Sequence, residues 1–308
     1  MAENGGDVFA DDPMTAKTRV AVVQMCATAD MENNLRCTEA LVADAAAAGA
    51  EAVFAPETFT FIGPGRIRSQ ILEPLPEGGP IFERCRAMAA DNGVHFVFGF
   101  HETGPEGRAY NTCAHLDPAG RLRAMYRKIH LFDVDLADGT RLLESRYTEA
   151  GDTPVATELP FGLLGLSICY DLRFPHLYQR LVDLGAVALA APAAFTSATG
   201  PDHWHVLLRA RAIECQAYVI AAAQHGEHGH ANRSSFGHAL IVDPWGDVIA
   251  ECPGDGDSFA IAGIDPERVA QVRRDLPSIA NRRPIADGVT GRHRPGPGAG
   301  VRQAEDAG

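Results

Sequence analysis

What most constrains the fold of this chain is a change of rhythm part-way along it. From Thr18, short β-branched apolar runs alternate with helical stretches; beyond about residue 110, tight hairpins interrupt that alternation. Residues 19–25 (RVAVVQM) read as a strand, and residues 33–48 as an Ala- and Leu-rich helix opened by Asp30 and Asn33 and closed by Gly49. A short buried strand over 52–54 delivers Glu57 at its end, followed by a helix over 81–91 and a strand over 95–100. The turn Asp117-Pro118-Ala119-Gly120 joins strands over 110–116 and 121–128. After a long mixed loop over 132–153, Pro160-Phe161-Gly162 joins strands over 155–159 and 163–169. A helix from Pro175 to Gly185, a strand over 187–191 and a helix over 203–215 come next. Strands over 218–223, 238–242, 247–251 and 259–264 and a helix over 266–276 complete the pattern. Strand–helix alternation mixed with hairpins implies an α/β chain whose mixed sheets carry helices on their outer faces.

Every Pro/Gly cluster before residue 282 reads as a turn, so residues 17–283 are expected to form one domain. Residues 1–16 read as a flexible leader, and residues 284–308, rich in Gly, Pro and Arg, as a disordered tail. A chain of 308 residues with 46% apolar content has enough material for a large core. The formal charge is −13, from 27 Lys+Arg against 40 Asp+Glu, which disfavours nucleic acid as a partner. A small acidic ligand remains compatible, since a few local cations outweigh a screened surface field. Seven cysteines are scattered singly without a CxxC pair, which points to a reducing compartment rather than a disulfide framework. The acidic N-terminus lacks the apolar run of a signal peptide, and no segment is apolar enough to span a bilayer, so a cytoplasmic setting is expected.

Cys169 stands out among the seven thiols. In GLSICYDLRFP it falls between a buried strand pattern and a helix, where amide N–H groups and the positive end of a helix would favour the thiolate. Two other segments offer partners: Glu57 in FAPETF and Lys128 in YRKIHLFD. Taken singly, each has a bland reading: a buried structural cysteine, a solvated loop carboxylate and a surface charge.

Together the three segments resemble the Glu, Lys and Cys signatures of the nitrilase, or carbon–nitrogen hydrolase, superfamily, over about residues 18–284. Farther on, TGPDHWHVLLRARAIE, RSSFGHALIVDPWG and LPSIANRRP are similar to its amidase branch, which includes the deaminated glutathione amidases and omega-amidases. The resemblance implies a four-layer αββα sandwich of two mixed sheets with outer helices, usually in a homodimer or higher homo-oligomer. Helices over 176–185 and 203–217 would supply the interface, with Leu177, Leu181, Leu207, Leu208 and Ile213 as apolar candidates that core packing could equally explain. It further implies a small-molecule amide as substrate, with no cofactor or metal and no membrane partner.

On that resemblance Cys169 would attack the carbonyl carbon and form a thioester. Glu57 would take and return protons, and Lys128, with the backbone N–H of Tyr170, would stabilise the oxyanion. Glu144, in a loop that also holds Glu149 and Asp152, matches a second family glutamate expected to orient Lys128. Arg173 is placed to face a substrate carboxylate, with an ion pair to Asp171 as its structural alternative. Phe195, Thr196 and Thr199 follow a strand and are expected to line the pocket, although Thr199 could instead stabilise a turn. The favoured substrate is deaminated glutathione, ahead of α-ketoglutaramate or α-ketosuccinamate, or an N-carbamoyl or aliphatic amide.

Other readings are weaker. His225, His228 and His230 in QHGEHGHANR could ligate a metal, but their glycines favour a solvated loop. His203 and His205 flank Trp204, where related amidases commonly read His-Trp-Glu. Ser234-Ser235 lacks the Gly-rich surroundings of a serine amidase. A non-catalytic binding protein on the same fold would have no reason to keep Glu57, Lys128 and Cys169 together.

Overall fold

The computed structural model describes residues 17–65, 70–135, 141–230 and 233–285, so the expected leader and nearly all of the expected tail lie outside the described residues. β1 (Thr18–Met25) leads through α1 (Met31–Ala47), β2 (Ala52–Phe54) and α2 (Pro80–Asn92) to β3 (His95–Thr103). β4 (Ala109–Leu116), β5 (Leu122–Arg127), β6 (Asp133–Asp135), β7 (Arg141–Leu143) and β8 (Thr148–Glu149) follow. The second half runs β9 (Val155–Leu159), β10 (Gly162–Leu166), α3 (Pro175–Asp183), β11 (Ala188–Ala190), α4 (Gly200–Cys215) and β12 (Tyr218–Ala221). It closes with β13 (Ala223–Glu227), β14 (Ser234–Phe236), β15 (Leu240–Val242), β16 (Val248–Glu251), β17 (Ser258–Ile264) and α5 (Pro266–Asp275).

Two large mixed sheets result. The first has the order β14-β13-β1-β2-β3-β4-β5, with β17 added to β1 and β8 to β4; the second runs β16-β15-β12-β11-β10-β9. In each, a parallel centre (β1-β2-β3, β10-β11-β12) is flanked by antiparallel hairpins. The alternation along β1 shows why its sequence is apolar at nearly every position. Val20 and Val22 belong to the core between the sheets, whereas Ala21, Val23 and Met25 face the core under α1 and α2. A strand buried on both faces has no solvent side to mark with polar residues. Against the second sheet pack Leu177, Tyr178 and Leu181 of α3 and Trp204 and Leu208 of α4. Helices, sheet, sheet and helices form the expected αββα sandwich.

Local capping follows the sequence. Asp30 Oδ1 accepts from the Asn33 N–H at 3.0 Å and opens α1. Two expectations need correction. The 225–230 stretch is not a solvated loop: β13 pairs in parallel with β1 and antiparallel with β14, and His225 and His228 are buried. His225 Nε2 lies 2.8 Å from Asp257, and His228 sits between the Ala27 carbonyl and Ser235, each at 2.8 Å. Main-chain pairing, rather than apolar side chains, makes this a strand. Residues 132–153 are not loop throughout, since β6 pairs with β7, and β8 joins the first sheet. Finally, among the five apolar candidates for an interface, Leu177, Leu181 and Leu208 take the core-packing alternative, whereas Ile213 is exposed, as are Leu184 and Val206 in the same stretches. Among the described residues, no helix is long and apolar enough to cross a membrane.

Candidate active site

Strand ends from both sheets supply the site. Glu57 lies just past β2, and Lys128 immediately follows β5, in the first sheet; Cys169 follows β10 in the second. Close passage of β3 behind Glu57 requires a glycine: a Cβ on Gly99 would sit 2.6 Å from the Glu57 Cα. Cys169 adopts φ 45°, a left-handed conformation uncommon for a residue with a side chain and worth about 1–3 kcal/mol of strain. Its N–H is fixed by the Pro192 carbonyl at 3.0 Å. A short 3₁₀ turn over Cys169–Arg173 separates it from α3.

Lys128 Nζ donates to Glu57 Oε1 and to Glu144 Oε2, both at 2.9 Å, and all three side chains are largely withdrawn from solvent. Asn111, which the sequence reading missed, bridges the same two carboxylates: its Nδ2 donates to Glu57 Oε1 at 2.8 Å and Glu144 Oε1 at 2.9 Å. Backbone completes the shell: Glu57 Oε2 accepts from the Ala194 N–H at 2.9 Å, and Glu144 Oε2 accepts from the Phe132 N–H at 2.7 Å as well as from Lys128. Two anions are thereby matched against one cation and several oriented N–H groups, which is what makes their burial tolerable.

These contacts set the protonation states. Burial alone would raise the Glu57 carboxyl, but Lys128, helped by Ala194 N–H and Asn111, holds it down to about 2. Burial would likewise discharge Lys128, yet Glu144 and Glu57 keep its ammonium well above the ordinary lysine range. Cys169 goes the other way from the sequence expectation. Burial, and next the charge of Glu57, push its thiol well up; Lys128 offsets only part of this. Burial and the neighbouring Glu57 carboxylate therefore favour the thiol over the thiolate, against what a nearby helix end would do.

Cys169, Tyr170, Arg173, Phe195, Thr196 and Thr199 line one cleft, together with Phe132 and Ala194. Arg173 does not pair with Asp171. Asp171 is fully buried and accepts from Tyr126 Oη at 2.7 Å, the Ile168 N–H at 2.9 Å and His130, bracing the Cys169 turn against the first sheet. The Arg173 guanidinium lies instead over the Phe195 ring at 5.2 Å, with Thr199 Oγ1 at 3.4 Å and His203 Nδ1 at 3.3 Å. Its neighbours are a ring, a hydroxyl and an imidazole. Among the described residues no carboxylate pairs with it, and a guanidinium so placed can take a ligand carboxylate.

A buried thiol, carboxylate and ammonium at the strand ends of an αββα sandwich are the architecture of the nitrilase superfamily. The chain belongs to the carbon–nitrogen hydrolase family, whose pattern matches residues 19–274. It is 43% identical over 281 residues to the deaminated glutathione amidase of Mus musculus, covering 88% of this chain and 85% of that one. The deaminated glutathione amidase of Synechocystis sp. is 44% identical over 268 residues, 85% of this chain and 97% of its own. Among solved structures, the Caenorhabditis elegans NitFhit protein superposes with a TM-score of 0.80 at 37% identity; the match covers 87% of this chain and 66% of that fusion protein. Saccharomyces cerevisiae Nit3, a member of branch 10 of the nitrilase superfamily, superposes at 0.76 with 28% identity over 85% of this chain and 95% of its own.

Proposed function

We propose that this carbon–nitrogen hydrolase cleaves the amide bond of a small carboxylate-bearing substrate through a thioester on Cys169, and that deaminated glutathione is that substrate. The observation that carries the reading is the Lys128 ammonium held between Glu57 and Glu144, with the buried Cys169 thiol in the electrostatic field of the same Glu57 and Lys128. In the first step Cys169 Sγ bonds to the carbonyl carbon while its proton passes to Glu57, and the carbonyl oxygen becomes an oxyanion. The net charge of the buried cluster is unchanged, because Glu57 loses the charge that the oxyanion gains. Lys128 and the Tyr170 N–H then stabilise that oxyanion, each donor contributing roughly 3–4 kcal/mol. Glu57 returns the proton to the departing nitrogen as the C–N bond breaks, then takes one from the water that attacks the thioester and gives it to the Cys169 sulfur as the C–S bond breaks and the acid leaves. Glu144 keeps Lys128 in place, and Arg173 with Thr199 would hold the substrate carboxylate against the wall formed by Phe195 and Thr196.

The 43% identity to deaminated glutathione amidases over most of both chains supports this substrate, and so does the Arg173 guanidinium in the cleft beside Phe195 and Thr199. Seven free cysteines fit a cytoplasmic enzyme. A homodimer would use the exposed Val206 and Ile213 of α4 with neighbouring Trp245. The test is turnover of deaminated glutathione, α-ketoglutaramate and N-carbamoyl amino acids, with Cys169→Ala as control. Deaminated glutathione should lead by kcat/KM, with Cys169→Ala inactive and Arg173→Ala raising KM chiefly for substrates that carry the carboxylate. Activity retained by Cys169→Ala would overturn the mechanism; a wide preference for α-ketoglutaramate would overturn the substrate.

A further inference from the structure

Outside the cleft, three side chains from three separate elements converge: His205 in α4, His238 between β14 and β15, and Glu251 at the end of β16. We propose that they form a binding site for one divalent transition-metal cation of the Zn2+ type. His205 Nε2 lies 2.9 Å and His238 Nδ1 2.7 Å from the same oxygen, Glu251 Oε1, and the three donor atoms all lie within 4.8 Å of one another. Two imidazole nitrogens and one carboxylate oxygen are the donor set that such ions select, leaving a further position for water.

The rings are held ready for this. His238 takes a left-handed backbone at φ 58°, strained for a residue with a side chain, and its carbonyl is fixed by Trp204 Nε1 at 2.8 Å. Phe236 packs on both imidazoles, its ring centroid 4.5 Å from His238 and 6.2 Å from His205. Behind His238, Gly254 leaves room only because it lacks a side chain: a Cβ there would come 2.7 Å from His238 Nε2. The ring is thus wedged with Nδ1 toward Glu251. All three side chains are about one-third exposed (32%, 28% and 34%), so a hydrated cation can reach them from solvent.

Binding needs little rearrangement. Each neutral ring moves its proton to its other nitrogen, and the freed lone pairs and the carboxylate oxygen then bond the ion. With metal–ligand bonds of about 2.0–2.1 Å, tetrahedral donors stand about 3.3 Å apart. Glu251 must therefore withdraw by roughly half an ångström, and the two imidazole nitrogens, within 4.8 Å of each other, must settle at the same spacing, which part-exposed side chains allow. Occupancy would tie α4 to the β15–β16 edge.

The test uses the full chain with Cys169 capped by iodoacetamide, titrated with Zn2+ by calorimetry and with Co2+ by absorption. One equivalent of Zn2+ should bind at least about tenfold more tightly than to His205→Ala or Glu251→Gln. Co2+ should give d–d bands without a thiolate charge-transfer band, and Zn2+ should raise the thermal midpoint of the parent chain but not of the variants. Circular dichroism checks that both variants fold, and Glu251→Gln retains an oxygen to accept from both rings. Equal affinity in parent and variants, no binding at all, or a thiolate band that places the ion on cysteine would each overturn the site. Amide turnover is a separate readout, so failure here leaves the hydrolase reading intact.

Discussion

Gly99 and Glu57 stand backbone to backbone, so close that a Cβ on the glycine would fall 2.6 Å from the glutamate Cα. The intruding methyl would meet main chain, which cannot step aside as a flexible side-chain tip could. Gly99→Ala should therefore destabilise the protein by about 1–3 kcal/mol and displace Glu57 from its partners. Urea unfolding measures the first effect and turnover the second. Unchanged stability with full activity would show that β2 and β3 separate easily.

Asn111 tests positioning. It supplies one N–H to each glutamate, and hydrogen bonds to charged groups are worth about 1.5–3 kcal/mol. Asn111→Ala should lower kcat by roughly 10–100-fold with little change in KM. Asn111→Asp should cut deeper and also move the acid limb of the pH–rate profile upward, because an added anion raises the Glu57 carboxyl from its low value near 2. A purely structural residue would leave that limb where it is.

For the thiol, the Glu57 charge is a main reason that Cys169 resists ionisation. Glu57→Gln removes that charge and keeps Lys128, so the pH midpoint for iodoacetamide labelling of Cys169 should fall. Turnover should drop by about 10²–10⁴ in the same variant, since the general base has gone. Labelling that follows the parent pH profile would show that Glu57 does not govern the thiol.

Acid sensitivity should come from a histidine far from the cleft. His115 is fully buried between His95 Nδ1 at 3.0 Å and Thr157 Oγ1 at 2.9 Å, and burial, with His95 and Arg123, pushes it down to about 3. The unfolded chain, with an ordinary histidine, takes up the proton first. Stability from this group is whole above about pH 6.5 and is lost as pH falls toward 3, by about 1.4 kcal/mol per pH unit. His115→Gln should flatten the unfolding free energy between pH 6 and 4 relative to the parent. An unchanged slope would assign the acid sensitivity to other groups, such as His228, held down at about 4.

Glu57, Lys128 and Cys169 were legible in the sequence because each follows a strand pattern and sits in a motif that resembles a family signature. Strand alternation revealed mixed sheets with outer helices, since β1 and β10 are apolar runs of the right length, while the four-layer sandwich was implied by the family resemblance. Asn111 was not legible. A lone polar residue in AYNTCAHL has no local sign that Glu57 and Glu144 will both lie within its reach. The thiol's protonation was misread for the same reason: neighbours along the chain suggest a helix end, whereas burial in the fold and then the charge of Glu57, just past β2, push the other way. The strand β13 escaped because QHGEH shows no apolar alternation; its histidines are buried by polar partners from distant segments.

The division of the site between two sheets has a consequence for how activity is acquired. Base and ammonium belong to one sheet, the nucleophile to the other, and Glu57 reaches across to the Ala194 N–H. Neither sheet alone holds a working fragment. The first sheet itself draws β13, β14 and β17 from the end of the chain, so Glu57, Lys128 and Cys169 come together only when both halves of the sequence are in place.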